Sequence, residues 1–198
     1  MTYITTGIPQ PGIVELLFYK GPTGKALSKL ADTILLGPSS LTSGERELIA
    51  SYVSFLNQCE FCHESHSASA NAHLGDNGKA VACVRENPDT APVSDKMKKL
   101  LKIAGKVQVS GKSVTQELID DAKKAGATDE EIHDTVLIAA AFCMFNRYVD
   151  GLGTNLPEKK EDYVSMGKRI SKGYKYPPLF LRKFVIRMMK KQAEKNSR

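Results

Sequence analysis

At 198 residues, with 41% hydrophobic and 25% charged side chains, the chain has an ordinary globular composition and enough apolar surface for one buried core, which excludes disordered and collagen-like classes. Its net charge of +6 is unevenly spread: residues 1–167 carry 17 basic against 21 acidic side chains, whereas residues 168–198 carry 11 against 1. Positive charge confined to one terminus, without a nucleic-acid-reading motif, argues against nucleic-acid binding, and four cysteines in a chain of this size do not make a disulfide scaffold.

The first residues, Met1 to Pro9, hold neither a basic cluster nor a long apolar run, so they do not read as a secretory leader. Apolar spacing then predicts helices over Ile13–Lys20 and Lys25–Leu36, the second closed by Gly37-Pro38. A third runs from Leu41 to about Asn57, opened by a capping box of Thr42 and Glu45. The next, from about Gln58 to Leu74, carries Cys59 and Cys62, is rich in Ser and Ala, and ends at Gly75. A short helix near Lys79–Arg85 and a loop from Asn87 to Pro92 follow, then helices over Asp95–Val109, Thr115–Lys124 and Thr128–Asp150.

The last of these contains the apolar run Val136–Phe145, ten residues, about half of the ~20 that span a membrane. It reads as the central buried helix of a cytoplasmic protein with no call for membrane contact. A polar linker, Gly151 to Lys160, leads to helices near 161–172 and Leu179–Lys195. No strand is expected: the chain reads as an all-α bundle over 1–160 with a basic helical extension over 161–198. In that extension Leu181, Phe184, Val185, Met188 and Met189 form an apolar stripe beside Lys183, Arg187, Lys190 and Lys191, a pattern shared by docked helices and membrane-surface helices, the former favoured here. An internal echo lays Ile49-Ala50-x-x-Val53 and Phe55-Leu56-Asn57 on Ile138-Ala139-x-x-Phe142 and Met144-Phe145-Asn146 at an offset of 89, which would relate two helical hairpins.

The clearest chemical signal is Cys59-x-x-Cys62-x-x-x-His66. Positions i, i+3 and i+7 fall on about one helix face, so two sulfurs and an imidazole can converge. A dithiol beside a proton acceptor suits redox chemistry, because the thiolate is the nucleophile and an adjacent base can generate it. The amide-rich start of the helix also favours an anion, which by itself points to Cys59 as the attacking sulfur. Cys59, Cys62, His63 and His66 offer a tetrahedral zinc set as well, but four ligands within eight residues of one helix cannot readily surround a metal; neither metal nor cofactor is called for. Glu47 taken alone reads as a solvated helix charge on a polar stripe with Ser51, Ser54 and Gln58. Cys83 and Cys143 read as inert core residues and His73 as structural. His133 reads first as an exposed histidine in the first turn of its helix, with an approach to the site from the second hairpin as the lesser alternative, and Arg147 with Asp150 reads as an ion pair at a helix end.

The stretch Leu41-Thr42-x-x-Glu45-Arg46-Glu47-x-Ile49-Ala50-x-x-Val53-Ser54-x-x-Asn57-x-Cys59-x-Phe61-Cys62-x-x-x-His66 resembles the AhpD-like alkylhydroperoxidases of the carboxymuconolactone decarboxylase superfamily. The segment Leu137–Phe142 followed by Asn146-Arg147 is similar to the same superfamily, in particular to its peroxidase-related branch. The resemblance implies an all-α AhpD-like helical bundle, a homo-oligomer of trimer or hexamer size, and a thiol-dependent peroxidase that reduces alkyl hydroperoxides. It also implies roles: Cys62 the peroxidatic thiol, Cys59 the resolving thiol, Glu47 and His66 the proton relay, with a water able to join the carboxylate to the imidazole, and a dithiol or redoxin as reductant. The family places a second histidine just before the second cysteine, where this chain has Phe61, and His63 is the nearest candidate to supply the missing positive potential. The alternative to an enzyme is an oligomeric protein whose dithiol senses oxidant or holds zinc.

Overall fold

The structure, a computed structural model, describes residues 2–196 and folds them into ten α-helices with no strand among the described residues. The first two, α1 (Gly12–Tyr19) and α2 (Gly21–Leu36), form a tight pair in which Pro22 starts α2 within its first turn. They cover one side of a hairpin made by α3 (Ser43–Leu56) and α4 (Glu60–Leu74). The capping box expected at Thr42 is formed: its hydroxyl accepts from the Glu45 amide at 3.2 Å, and the Glu45 carboxylate accepts from the Thr42 amide at 2.9 Å. At the same open end of the hairpin α4 stops at Gly75, whose φ of +66° is left-handed, a conformation open to glycine at little cost.

Short α5 (Lys79–Glu86) leads to α6 (Asp95–Val109) and α7 (Gln116–Lys124). The long α8 (Asp129–Gly151) then runs through the centre against α3 and α6. It opens on a second capping box, Thr128 with Glu131, and Glu131 is further tied to Lys96 at 2.6 Å. Leu48, Ile49 and Val53 of α3, Leu100 and Ile103 of α6, and Ile138 and Phe142 of α8 meet in a core that excludes water, where each fully buried aliphatic side chain contributes roughly 1.5–3 kcal/mol.

The echo at offset 89 has a physical counterpart: α3 and α8 cross in the core, and the Asn57 amide donates to Asn146 Oδ1 at 2.8 Å. Beyond the core α9 (Lys160–Ile170) lies along α4 at backbone distance, so close that a Cβ on Gly167 would stand 2.4 Å from the Ala68 Cβ. A ten-residue strap then crosses α1 and α2 and enters α10 (Arg182–Asn196) through one turn of 3-10 helix, Leu179–Leu181. Among the described residues no helix is long and apolar enough to cross a membrane.

Candidate active site

The site is built at the α3–α4 turn. Asn57, Gln58 and Cys59 link the two helices, and Gln58 takes a left-handed φ of +60°, unusual for a residue with a Cβ. That turn drives Cys59 inward, where its amide donates to Ser54 O at 3.0 Å and its carbonyl accepts the His63 amide at 2.9 Å. Cys59 is therefore the N-cap of α4 rather than part of its body, while Cys62 sits in the first turn. Both thiols are unbridged and buried. They pack with Phe61, Val149 and Tyr163 in a small cluster of their own.

An amide relay fixes the turn. Gln108 donates to Asn57 Oδ1 at 2.9 Å, Asn57 donates to Asn146 Oδ1 at 2.8 Å, and Asn146 donates to Ser54 Oγ at 3.0 Å. Helices α6, α3 and α8 are thus tied together immediately before the dithiol.

The polar stripe of α3 does not face water: Glu47, Ser51 and Ser54 are all at most 1% exposed, so Glu47 is not the solvated charge that its helix position taken alone suggests. The cause is that α3 is covered on one side by the core and on the other by α4, so its polar face meets the polar face of the neighbouring helix. Glu47 Oε2 accepts from His66 Nδ1 at 2.7 Å. The contact is direct and needs no bridging water. Because a carboxylate can only accept, it assigns the imidazole proton to Nδ1 and leaves Nε2 as the basic nitrogen. Glu47 Oε1 accepts from the hydroxyl of Tyr174 at 2.5 Å, and that hydroxyl lies 3.2 Å from His66 Nδ1. The phenol is stacked on the imidazole, with interplanar angle 13° and centroids 6.0 Å apart, while the edge of Phe142 meets the same ring at 4.6 Å.

Cys62, His66 and Tyr174 open on one cavity of about 60 Å3 whose other walls are Ile13, Leu17, Leu27, Ala31, Phe61, Phe142 and Phe145, with Ser28 at its edge. It has room for a few water-sized groups. Larger hollows lie at the surface near the N-terminal residues and α9, away from the thiols. The Cys59 thiol lies within hydrogen-bonding reach of Cys62, and this contact, then burial, pushes its pKa well above the ordinary range. Asp150 acts in the same direction at the Cys59 sulfur. Asp150 therefore belongs to the dithiol's surroundings and not to the expected ion pair; Arg147 instead donates to Cys143 O, one turn back, at 2.9 Å.

The two accessory histidines lie elsewhere. His63 follows Cys62 by one residue, so it projects about 100° around α4 from the thiol. Its Nδ1 meets Ser51 O at 3.1 Å and Ser51 Oγ at 3.2 Å, and its ring packs on Phe55. His133 is exposed beside Asp134 near the start of α8. Among the described residues no three of His, Cys, Asp and Glu converge as metal ligands, and His63 is turned toward Ser51 of α3 rather than toward the two thiols. The residue that sequence reasoning missed is Tyr174, whose contacts reach back 127 and 108 positions. Its signal was faint: a tyrosine inside a Gly-Tyr-Lys-Tyr-Pro-Pro segment between two predicted helices.

Residues 22–105, which include Glu47, Cys59, Cys62 and His66, match the Carboxymuconolactone decarboxylase family. No curated protein matches the sequence. Among solved structures, an uncharacterised peroxidase-related protein from Silicibacter sp. TM1040 superposes with a TM-score of 0.70 at 22% identity, over 79% of this chain and 80% of that one. A second, described as an alkylhydroperoxidase AhpD core and an uncharacterised peroxidase-related protein from Ralstonia eutropha JMP134, also gives a TM-score of 0.70, at 25% identity, over 79% of this chain and 81% of that one.

Proposed function

We propose that the chain is an AhpD-like member of the carboxymuconolactone decarboxylase superfamily, of its peroxidase-related branch, a reading supported by the match over residues 22–105 and by the two solved structures, and that it is a thiol-dependent peroxidase cycling between the Cys59/Cys62 dithiol and its disulfide. The observation that carries this reading is the buried Glu47–His66 contact of 2.7 Å beside a thiol that opens on an apolar cavity. His66 Nε2 takes the Cys62 proton, and Glu47 offsets the charge the imidazole acquires. The thiolate attacks the nearer peroxide oxygen, the O–O bond breaks, Cys62 becomes a sulfenic acid, and the alkoxide leaves with the proton returned by His66. Cys59, still a thiol, then attacks the sulfenic sulfur: a disulfide forms and water departs. An external dithiol or redoxin restores both thiols by exchange and is itself oxidised to a disulfide.

The cavity favours hydrogen peroxide or a hydroperoxide with a small alkyl end. Cys62 lines the cavity while Cys59 lies wholly buried behind it, which supports Cys62 as the attacking sulfur, against the helix-dipole argument taken alone. Family membership covers decarboxylases too, and the dithiol is the feature that favours peroxide chemistry over lactone chemistry. We further propose that the protein works as a homo-oligomer that uses the apolar stripe of α10. One equivalent of hydroperoxide with dimedone present is the test: Cys59→Ser should give an adduct at Cys62 and no turnover, and Cys62→Ser should give none. An adduct confined to Cys59 would reverse the roles. A single stoichiometric oxidation without turnover, whatever dithiol is supplied, would make the protein a sensor instead.

A further inference from the structure

The segment between α9 and α10 is held across the mouth of the site at three points. Its start passes through Gly173, whose φ of +134° suits glycine, and the Tyr174 amide then donates to Asp32 Oδ1 of α2 at 3.1 Å. Next, the Tyr176 ring stacks on Phe18 at 5.2 Å, and its hydroxyl donates to Leu17 O at 3.2 Å. Finally, the Arg182 guanidinium donates to the terminal carbonyls of α1, with Nε to Phe18 O at 2.8 Å and Nη2 to Tyr19 O at 2.6 Å. These carbonyls have no partner within their own helix, so the guanidinium caps α1 while anchoring the strap. What the strap delivers is the Tyr174 side chain, placed between Glu47 and the cavity.

We propose that Tyr174 is a positioning residue for the thiol chemistry of Cys62: its hydroxyl occupies Glu47 Oε1 and so commits Oε2 to His66 Nδ1. The inference rests on the dithiol site read above. A carboxylate with no exposure to water needs donors on both oxygens. His66 supplies one and Tyr174 the other. With both in place the carboxylate cannot turn, the imidazole keeps its proton on Nδ1, and Nε2 stays free to take the thiol proton. The stacked phenol also fixes the imidazole plane and closes the cavity wall. The charged and titratable groups that face the phenol are Asp32 of α2, Glu47 of α3 and His66 of α4. Burial first, and then the Glu47 charge, push its pKa well above the ordinary tyrosine range, so it remains a donor throughout the working range of a thiol enzyme.

The experiment reads Cys62 in two ways, by hydroperoxide consumption and by the pH dependence of its alkylation with iodoacetamide, in the full-length protein with melting followed in parallel. Tyr174→Phe keeps the ring and removes the hydroxyl. It should slow both reactions by roughly 10- to 100-fold, the scale seen when a partner that orients a catalytic group is lost. It should also move the acid limb of the alkylation profile toward higher pH, since a carboxylate free to turn offsets the charge on the imidazole less well. In a Glu47→Gln background the same change should cost less than about 2-fold, because the two residues act as one unit. Tyr176→Phe weakens the strap without touching Glu47 and should leave rate and profile unchanged.

A wild-type rate and profile in Tyr174→Phe, additive losses in the double variant, or an equal loss in Tyr176→Phe would each overturn the proposal. If alkylation depends on Tyr174 and Glu47 but no hydroperoxide is consumed, the peroxidase reading fails and the positioning role stands. If hydroperoxide consumption is indifferent to Tyr174, the outcome is the reverse.

Discussion

Cys59 and Cys62 are three residues apart, yet their surroundings differ enough to assign them different chemistry. Cys59 is bonded toward Cys62, fully buried, and faced by Asp150; each of these favours the neutral thiol and together they outweigh its N-cap position, which favours the anion. Below the ordinary thiol range it should therefore alkylate well behind Cys62, and site-resolved mass spectrometry at about pH 7.5 checks this. Equal rates at the two positions would remove the distinction. A thiol whose pKa is raised on folding holds a proton that the unfolded chain releases above its own pKa, so stability is lost as pH climbs past about 9. Tyr174, raised chiefly by burial, adds a loss of the same sign that begins about one unit higher. Urea melts at about pH 8 and about pH 10.5 should show the wild type losing more stability than Cys59→Ser. Tyr163 poses the opposite case. Its buried hydroxyl has no hydrogen-bond partner among the described residues, so Tyr163→Phe should hold or raise the melting temperature.

Turns and caps decide where these residues stand, and they were unequally visible in the chain. Helix α3 was legible because Thr42 and Glu45 satisfy its orphan amides in a pattern that local spacing alone identifies. The end of α4 at Gly75 was legible for a similar reason. Its start was not: Gln58 gives no hint of a left-handed residue, so the sequence pattern carries the helix back to Gln58 when its body begins at Glu60. Glu47 shows the same limit from another direction. A polar stripe is read as solvent-facing until something covers it, and what covers it is a second polar face from α4 together with a phenol from position 174.

The amide relay at Asn57 and Asn146 was half legible, as an echo in sequence whose members turn out to be bonded to each other. Asn146→Leu would take the oxygen acceptor from the Asn57 side-chain amide and the donor from the buried Ser54 hydroxyl. The expected cost is about 1–3 kcal/mol for each group left unpaired, read from urea unfolding. Gln58→Gly should do the reverse and gain roughly 0.5–1 kcal/mol, because the left-handed conformation is strained for glutamine and free for glycine. A loss on that substitution would mean that the glutamine side chain, not the turn, holds the site.

At the scale of the whole molecule the charge asymmetry and the exposed surface of α10 belong together. Val185, Ile186 and Met189 are partly covered, but Phe180, Phe184 and Met188, spaced one helical turn apart, are 83%, 62% and 56% exposed. Lys183, Arg187 and Lys191 stand exposed around them. Three large apolar side chains in a row amount to a surface awaiting a partner. The tail carries a net +10 and the preceding 167 residues a net −4, so a second copy offers a complementary body, and closed symmetry lets each subunit's tail lie on its neighbour. Phe184→Glu with Met188→Glu changes two positions that are already in water, so the subunit should keep its helicity and melting temperature. Light scattering at low micromolar concentration should nevertheless fall from an assembly to the 21.7 kDa subunit. A wild-type protein that already scatters as a single subunit would contradict self-association. If the variant stays assembled but no longer binds vesicles containing anionic lipid that the wild type does bind, the stripe serves a membrane surface and the pairing of tails is wrong.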